Sequence, residues 1–567
     1  MPVLSRRWNI APPVPAVALF ELQDYSPVLR QILYQRGYQT RQEAQDFLEA
    51  RPPGDNDPYK MKGIPEAVDR IALAITNREL IAVYGDYDAD GVTATALLTL
   101  ALEELGADVR PYIPNRFDDG YGLSNEGLSE LKAEGVGLVI SVDCGIRSID
   151  EAQHAREIGL DLIISDHHHP GSAMPQALAV INPKQPGDEY PEKNLAGVGL
   201  AYKLAQALFD PEGLPVESYL DLVALGTISD LAPLVGENRT LVRRGLDYLR
   251  RPTRQGVMSL IGAAGLAPSN LNTSHVGFAL GPRLNAAGRI DSANAALELL
   301  TTHDLNQAGV LAQQLDNQNR DRQRRTLETQ LKAEEMALRD NPDAFILFAA
   351  DPEFNHGIVG LAASRLTEKH YRPAIVAKID LEKNETRGSC RSIPEFHITE
   401  ALDQCADLLV KHGGHAAAAG FTVHNEHLFD LISRLQKLAE QQLGGLDLRP
   451  TLSADMEMPL YDLKPAILKD LKQLEPTGQE NRRAVFVSRG LKVTRKNQVG
   501  NDGAHLKLEV TDGWITYSAI AFQQGYWYDQ MPEQIDLMYY YEANEYNGRS
   551  SLQLNVIDLK PTGAPDY

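Results

Sequence analysis

A chain of 567 residues is too long for one hydrophobic core and suits about three or four domains. Its 43% hydrophobic and 23% charged residues are those of an ordinary globular protein, and no apolar run approaches the roughly 20 residues of a spanning helix, so the cytoplasm is expected. A formal net charge of -22 speaks against binding polyanions over the whole surface, and Cys144, Cys390 and Cys405 lie too far apart for a disulfide framework or a zinc ribbon.

The opening stretch MPVLSRRWNIAPPVPAVALF is broken by prolines and fits neither a signal peptide nor a membrane span. From about Glu79, short β-rich runs alternate with helical stretches: LIAVYGD, GVTATALLTLALEELG, ADVRPYIP, LSELKAEG, GLVISVDCG, IDEAQHAREIG and DLIISDHHHP. Repeated βα alternation predicts a parallel sheet covered by helices. Helical patterns continue in VGLAYKLAQALF, SYLDLVALGTISD and TLVRRGLDYLR, and residues 304–340 read as one long connector helix. A second α/β unit follows, with AFILFAAD, IVGLAASRLTEKHY, PAIVAKID and the glycine-rich KHGGHAAAAGF. The last part changes character: RAVFVSRGLKVTRKN, HLKLEVTDG, ITYSAIAF, IDLMYYYEANEYNG and LQLNVIDL read as short strands of a small closed barrel of the oligonucleotide-binding (OB) type. The expected boundaries are 1–75, a segment packing on the catalytic domain; 76–300, the catalytic domain; 301–340, the connector helix; 341–447, the second α/β domain; and 448–567, the barrel.

In VYGDYDADG, Asp86, Asp88 and Asp90 occupy the turn between a strand and a helix. Alternating carboxylates there suit hard divalent cations, although an N-capping turn would also use an aspartate. Asp143 follows a second buried-looking strand, and Asp166, His167 and His168 follow a third. Ligands at the carboxyl ends of parallel strands converge on one edge, which points to a binuclear centre with a bridging carboxylate, and Asp230 could complete it. Carboxylate and imidazole donors without thiolate suit Mn²⁺ or Mg²⁺, and two such ions serve phosphoester hydrolysis.

LGPRLNAAGRID offers Arg283, Asn285 and Arg289, GSCRS offers Ser389 and Arg391, and HGGHAAAAG offers Gly413, Gly414 and His415. Arginine forks and paired glycines suit phosphate, and turn chemistry or surface ion pairs would also account for them. Six basic residues against one acidic in 480–497 fit a solvated face or a nucleic-acid groove.

The ordered set DYDADG, SVDCG, DHH and GTISD resembles the DHH phosphoesterase superfamily, and GGHAAAAG resembles its DHHA1 partner domain. LGPRLNAAGRI, GSCRSI, LEPTGQEN and ANEYNG extend the likeness over nearly the whole chain, toward the single-strand-specific DNA exonucleases of that superfamily. The resemblance implies an α/β protein: a parallel-sheet DHH domain and a smaller DHHA1 domain joined by a long helix, followed by an OB-like barrel. It implies 5'→3' hydrolysis of single-stranded DNA to 5'-mononucleotides in repair and recombination, with two Mn²⁺ or Mg²⁺ ions. Asp88, Asp90, Asp143, His167, Asp230 and, less directly, Asp86 would hold the ions, and His168 would contact the scissile phosphate. Arg116, in IPNRFDDGYG, would join Arg283, Arg289, Ser389, Arg391 and His415 on the DNA backbone. The implied partners are single-stranded DNA, preferably 5'-phosphorylated, a single-strand-binding protein and a helicase; no membrane is expected, and the chain would be a monomer. Asn355 stands where members of the superfamily often carry an aromatic residue, and contacts made through a further C-terminal domain of some members are not expected. Two other readings remain: a phosphodiesterase for small or cyclic nucleotides, whose known members lack the barrel, and a catalytically silent replication scaffold.

Overall fold

The computed structural model describes residues 6–114, 122–290, 293–546 and 549–566. The chain divides into two compact units, one built mainly from Asp316–Thr451 and the other from Trp8–Gly288 together with Leu452–Tyr567. Among the described residues no helix is long and apolar enough to cross a membrane.

The first sheet holds β1 (Leu80–Gly85), β2 (Asp108–Tyr112), β3 (Val136–Val142), β4 (Asp161–Ser165) and β5 (Ala179–Ile181) in the order β2-β1-β3-β4-β5, all parallel. Ile81, Val83, Leu138 and Ile140 enter one apolar core, and Ala82, Tyr84, Val139 and Ile164 enter a core on the other face. Burial on both faces explains why these strands are apolar runs without polar alternation. The order reverses direction between β1 and β3, the switch point where α/β sheets open a crevice at their carboxyl ends. Helix α1 (Ala89–Glu104), buried from Ala89 to Leu102, packs with α2 (Gly197–Phe209) and α3 (Leu220–Ser229) behind that edge. Next come α4 (Gly236–Leu249) and α5 (Gly281–Ile290).

The expected connector is a single helix, α6 (Leu305–Asp340), of 36 residues. Its first turns, through Ala308, Leu311 and Leu315, belong to the first core, and Ala333 and Ala337 belong to the core of the second α/β unit. In that second unit β6 (Leu347–Asp351), β7 (Ala374–Asp380), β8 (Glu385–Arg391), β9 (Leu409–His415) and β10 (Ala418–His424) form a mixed sheet in the order β9-β10-β8-β7-β6, with α7 (His356–His370) packed on it.

Five C-terminal strands, β11 (Phe486–Val499), β12 (His505–Thr511), β13 (Thr516–Ala521), β14 (Gln534–Tyr546) and β15 (Arg549–Pro561), close into a barrel. Pairing runs β11-β12-β13-β15-β14 and returns to β11, with β13 and β15 parallel. Closure removes the free edges that an open antiparallel sheet would carry.

Two expectations change. The sequence places the N-terminal segment on the first α/β domain, where the carbonyls of Phe47, Leu48 and Ala50 do accept from Arg239, Arg243 and Thr240 of α4, yet Leu22, Leu29, Ile32, Leu33, Phe47 and Leu48 share a core with the barrel residues Phe486, Leu508 and Leu537. Only the later part, Met61 to Ala74, joins the catalytic core. An amphipathic pattern marks which face of a helix is buried and not which partner covers it. The basic run at 480–497 is also mostly neutralised: Arg482 pairs with Asp455, Arg483 with Glu542, Arg489 with Glu457, Asp536 and Asp566, and Arg495 with Glu509. Charge counted along the chain misses carboxylates brought in from neighbouring strands.

Candidate metal centre

Four peptide segments bring their polar side chains to the carboxyl edge of the first sheet. Asp86 follows β1 and is buried. Asp88 caps α1, its Oδ1 accepting the amides of Asp90 at 2.9 Å and Gly91 at 3.1 Å, so the capping role foreseen for one aspartate of this turn falls to Asp88. Asp90 lies inside the first turn, where its carboxylate accepts the Gly197 amide at 2.7 Å and the Val198 amide at 2.9 Å. Those amides open α2, whose dipole favours an anion. Asp143 comes directly after β3 in the left-handed region, with φ 61°, a conformation aspartate tolerates and one that turns the chain away from the sheet at this residue. Glycine makes room for it: a Cβ at Gly197 would stand 2.7 Å from the Cβ of Asp143, and one at Gly226 would stand 2.9 Å from Asp90 Oδ1.

His167, two residues past β4, completes the cluster. Its Nε2 lies 3.1 Å from Asp143 Oδ1 and 3.9 Å from carboxylate oxygens of both Asp90 and Asp230, the residue that caps α3. Three overlapping sets result, Asp86–Asp88–Asp143, Asp90–His167–Asp230 and Asp143–His167–His168, each with its ligand atoms within 4.8 Å of one another. Asp143 and His167 each belong to two sets, the pattern of adjacent centres with shared ligands.

The chemistry of these groups fits cations. Asp143 Oδ1 and His167 Nε2 are both buried, and despite their 3.1 Å separation neither makes a hydrogen bond. Two acceptors converging without a shared proton suit a positive ion between them. Burial and then the charges of neighbouring aspartates push the Asp90 and Asp143 carboxyls well above the usual carboxylate range, and Asp230 rises to about 7 from burial and the charge of Asp88. Burial, followed by the neighbouring His168, pushes His167 down to about 3, which keeps it in the neutral form that ligates metals.

His168 and Asp166 behave differently from their neighbours. Asp166 Oδ1 receives the His168 amide at 3.0 Å and lies 2.7 Å from its Nδ1, while Oδ2 accepts the Ile146 amide at 2.9 Å. Asp166 therefore orients a ring and a loop. His169 is exposed, and its carbonyl accepts from Arg147 Nε at 2.9 Å. Two residues missed in the sequence hold the histidine turn from beneath: Asn182 Nδ2 donates to the His168 carbonyl at 2.8 Å and Lys184 Nζ to the His167 carbonyl at 2.6 Å. Their only signal was a short polar NPK after β5.

The family models for the DHH family N-terminal domain, the DHHA1 domain and the RecJ OB domain match residues 80–227, 343–443 and 454–558. The "Single-stranded-DNA-specific exonuclease RecJ" of Bacillus subtilis is 39% identical over 556 residues, covering 97% of this chain and 70% of that protein. The chain belongs to the RecJ family. Crystal structures of RecJ from Thermus thermophilus agree with the fold: the complex with Mn²⁺ has a TM-score of 0.85 at 31% identity, covering 99% of this chain and 80% of that one. The complex with Mg²⁺ has a TM-score of 0.80 at 28% identity, covering 99% and 79%.

Of the phosphate-directed residues in this RecJ-family chain, Arg116 lies outside the described residues, as does the Arg289 side chain. Arg283 donates to the Ala279 carbonyl at 2.7 Å. Asn285, expected on the substrate, presents Oδ1 to the Ala89 amide at 2.8 Å and so steadies the turn between Asp88 and Asp90. In the second unit, Arg391 Nη1 donates to Ser389 Oγ at 3.0 Å and to the Cys390 carbonyl at 2.8 Å, with Gly360 of α7 leaving space for both side chains. Arg391 pairs with no carboxylate among the described residues. Gly413, Gly414 and His415 are exposed at the end of edge strand β9, and Asn355 caps α7 through the Gly357 amide at 2.8 Å.

Proposed function

We propose that this chain is a metal-dependent 5'→3' exonuclease, a hydrolase that cleaves phosphodiester bonds of single-stranded DNA to 5'-mononucleotides in DNA repair and recombination. The observation that carries this reading is the buried carboxylate and imidazole cluster at the switch point, in a chain that also has a closed OB barrel.

Asp86, Asp88, Asp90, Asp143, His167 and Asp230 would hold two Mn²⁺ or Mg²⁺ ions, Asp143 and His167 each belonging to two of the ligand sets. Such ions polarise the scissile phosphate and lower the pKa of the attacking water. The side chains do the rest. Asp166 keeps a proton on Nδ1 of His168, and burial, which alone would lower the pKa of that ring, is outweighed by the hydrogen bond to and the charge of Asp166, so the ring is more basic than usual. His168 then presents Nε2–H to a phosphate oxygen and meets the negative charge that develops there. Asn285 holds the Asp88–Asp90 turn. Arg116, Arg283, Asn285, Arg289, Ser389, Arg391, Gly413, Gly414 and His415 bind the DNA backbone, preferably with a 5' phosphate.

The barrel grips bases by stacking. Tyr539 and Tyr541 are buried in its core and Tyr540 lies under Arg483, whereas Trp514 and Phe522 are 87% and 53% exposed and are free of that packing role. We further propose the domain boundaries given above with the N-terminal segment shared between the catalytic domain and the barrel, a monomer in the cytoplasm, and a single-strand-binding protein and a helicase as partners.

Product lengths from 5'-labelled and 3'-labelled single strands, with and without Mn²⁺, test the reading. Mononucleotides released from the 5' end only with the metal support it. Cleavage of dinucleotides with long strands left intact would favour the small-nucleotide reading, and inertness toward both would favour the scaffold.

A further inference from the structure

The motif LEPTGQEN has no part in the chemistry above, yet it bridges the barrel and the catalytic domain. It follows a short helix, Ala466–Gln473, and is closed on itself by paired hydrogen bonds between Gly478 and Asn481 and by Asn481 Nδ2 donating to the carbonyls of Leu474 and Pro476. Arg239 of α4, 1% exposed, grips its start. The guanidinium donates to the carbonyls of Gln473, Leu474, Glu475, Pro476 and Phe47, all between 2.9 and 3.1 Å, and lies 4.1 Å over the Phe47 ring. All five donors of the fork meet carbonyls, four at or just past the end of the Ala466–Gln473 helix and one in the last turn of the Arg41–Glu49 helix, where partial negative charge collects.

Beyond Arg239, the motif touches the catalytic domain at two further points, and each leads to the metal site. The Leu234 amide donates to the Gln479 carbonyl at 2.8 Å, and a Cβ on Gly478 would stand 2.6 Å from Leu234 Cδ1. Leu234 lies four residues after Asp230, across a turn in which exposed Leu231 takes a left-handed φ of 59°. A leucine pays a steric cost for that conformation, so the turn is held by its two ends: the end of α3, where the Asp230 amide donates to Gly226, and the Leu234 anchor. At the second point Thr273 Oγ1 donates to the Thr477 carbonyl at 2.6 Å. Thr273 opens the helical run that ends in α5. On α5, Gly281, Asn285 and Gly288, spaced i, i+4 and i+7, form one face against the metal-bearing loops. A Cβ at Gly281 would stand 2.3 Å from Ser229 Oγ and one at Gly288 2.5 Å from the Tyr87 carbonyl, while Asn285 bonds the Ala89 amide.

We propose that residues 474–481 are a positioning strap, which sets the Asp230 turn and the α5 buttress and thereby tunes ion binding at a site it does not touch. The inference rests on the metal reading of that site. The test is Mn²⁺ binding to the full chain, measured calorimetrically without substrate, with thermal unfolding in parallel. Thr273→Val and Gly478→Ala should each weaken Mn²⁺ binding about tenfold, the lower end of the effect of groups that orient ligands. Thr273→Ser, which keeps the hydroxyl, should bind as the unaltered chain does. Val510→Ala, a cavity in the barrel core away from the strap, should lower the melting temperature and leave Mn²⁺ binding unchanged. Unchanged binding in both strap variants, or an equal loss in Val510→Ala, overturns the strap and leaves the metal reading intact. An unaltered chain that binds no Mn²⁺ overturns both.

Discussion

Asp143 and His168 lie 3.9 Å apart, and the proposed function gives them different tasks that substitution should separate. Asp143→Ala removes a carboxylate shared by two ligand sets, so calorimetry should find Mn²⁺ binding weakened together with nuclease activity. His168→Ala should leave Mn²⁺ binding largely in place and lower kcat by about 10²–10⁴, the range for a positioned proton donor. Asp166→Asn should reproduce part of that loss, about ten- to a hundredfold, because the ring loses its charged anchor. His169→Ala should change neither quantity. These residues were legible because acidic and imidazole side chains directly after apolar runs are rare unless something binds them. Their division of labour was not, since Asp166, His167, His168 and His169 are contiguous and only the path of the chain beyond β4 decides which of them faces inward.

At the scale of elements, the site depends on helices whose sequence gives little sign of it. The amino end of α2 both receives Asp90 and makes way for Asp143 at Gly197. Gly197→Ala should force the Asp143 carboxylate aside and raise the Mn²⁺ concentration for half-maximal activity. Because alanine suits a helix better than glycine, the melting temperature should not fall by more than the local clash requires. No pattern in GVGLAYKLAQALF announces this, because a glycine needed for a neighbour's side chain looks like any other helical glycine. Asn285 teaches the same lesson: its residue type suits phosphate, and only the contact with Ala89 shows that it also supports the Asp88–Asp90 turn.

The molecule as a whole should respond to metal and to truncation. Buried carboxylates with raised pKa values are costly without cations, so Mn²⁺ at a hundredfold excess over its Kd should stabilise the catalytic unit by about 2.7 kcal/mol, read as a higher melting temperature that a chelator reverses. Deleting the barrel, residues 452–567, uncovers the apolar face carried by Leu22, Ile32, Leu33 and Phe47. The shortened chain should aggregate on size exclusion, and removing residues 1–50 as well should reduce that aggregation.

The order of elements, the two α/β units, the barrel and the aspartates and histidines that could hold metal were determined by the sequence alone, since each depends on local periodicity or on residue type beside a strand end. Only the tertiary structure decided the strand order that puts β1 beside β3, the partner of the N-terminal helices, the neutralisation of the barrel arginines and the anchorage of 474–481. All four depend on contacts between residues far apart in the chain. Local pattern specifies which surface must be buried or paired, and the folded chain selects the group that does it.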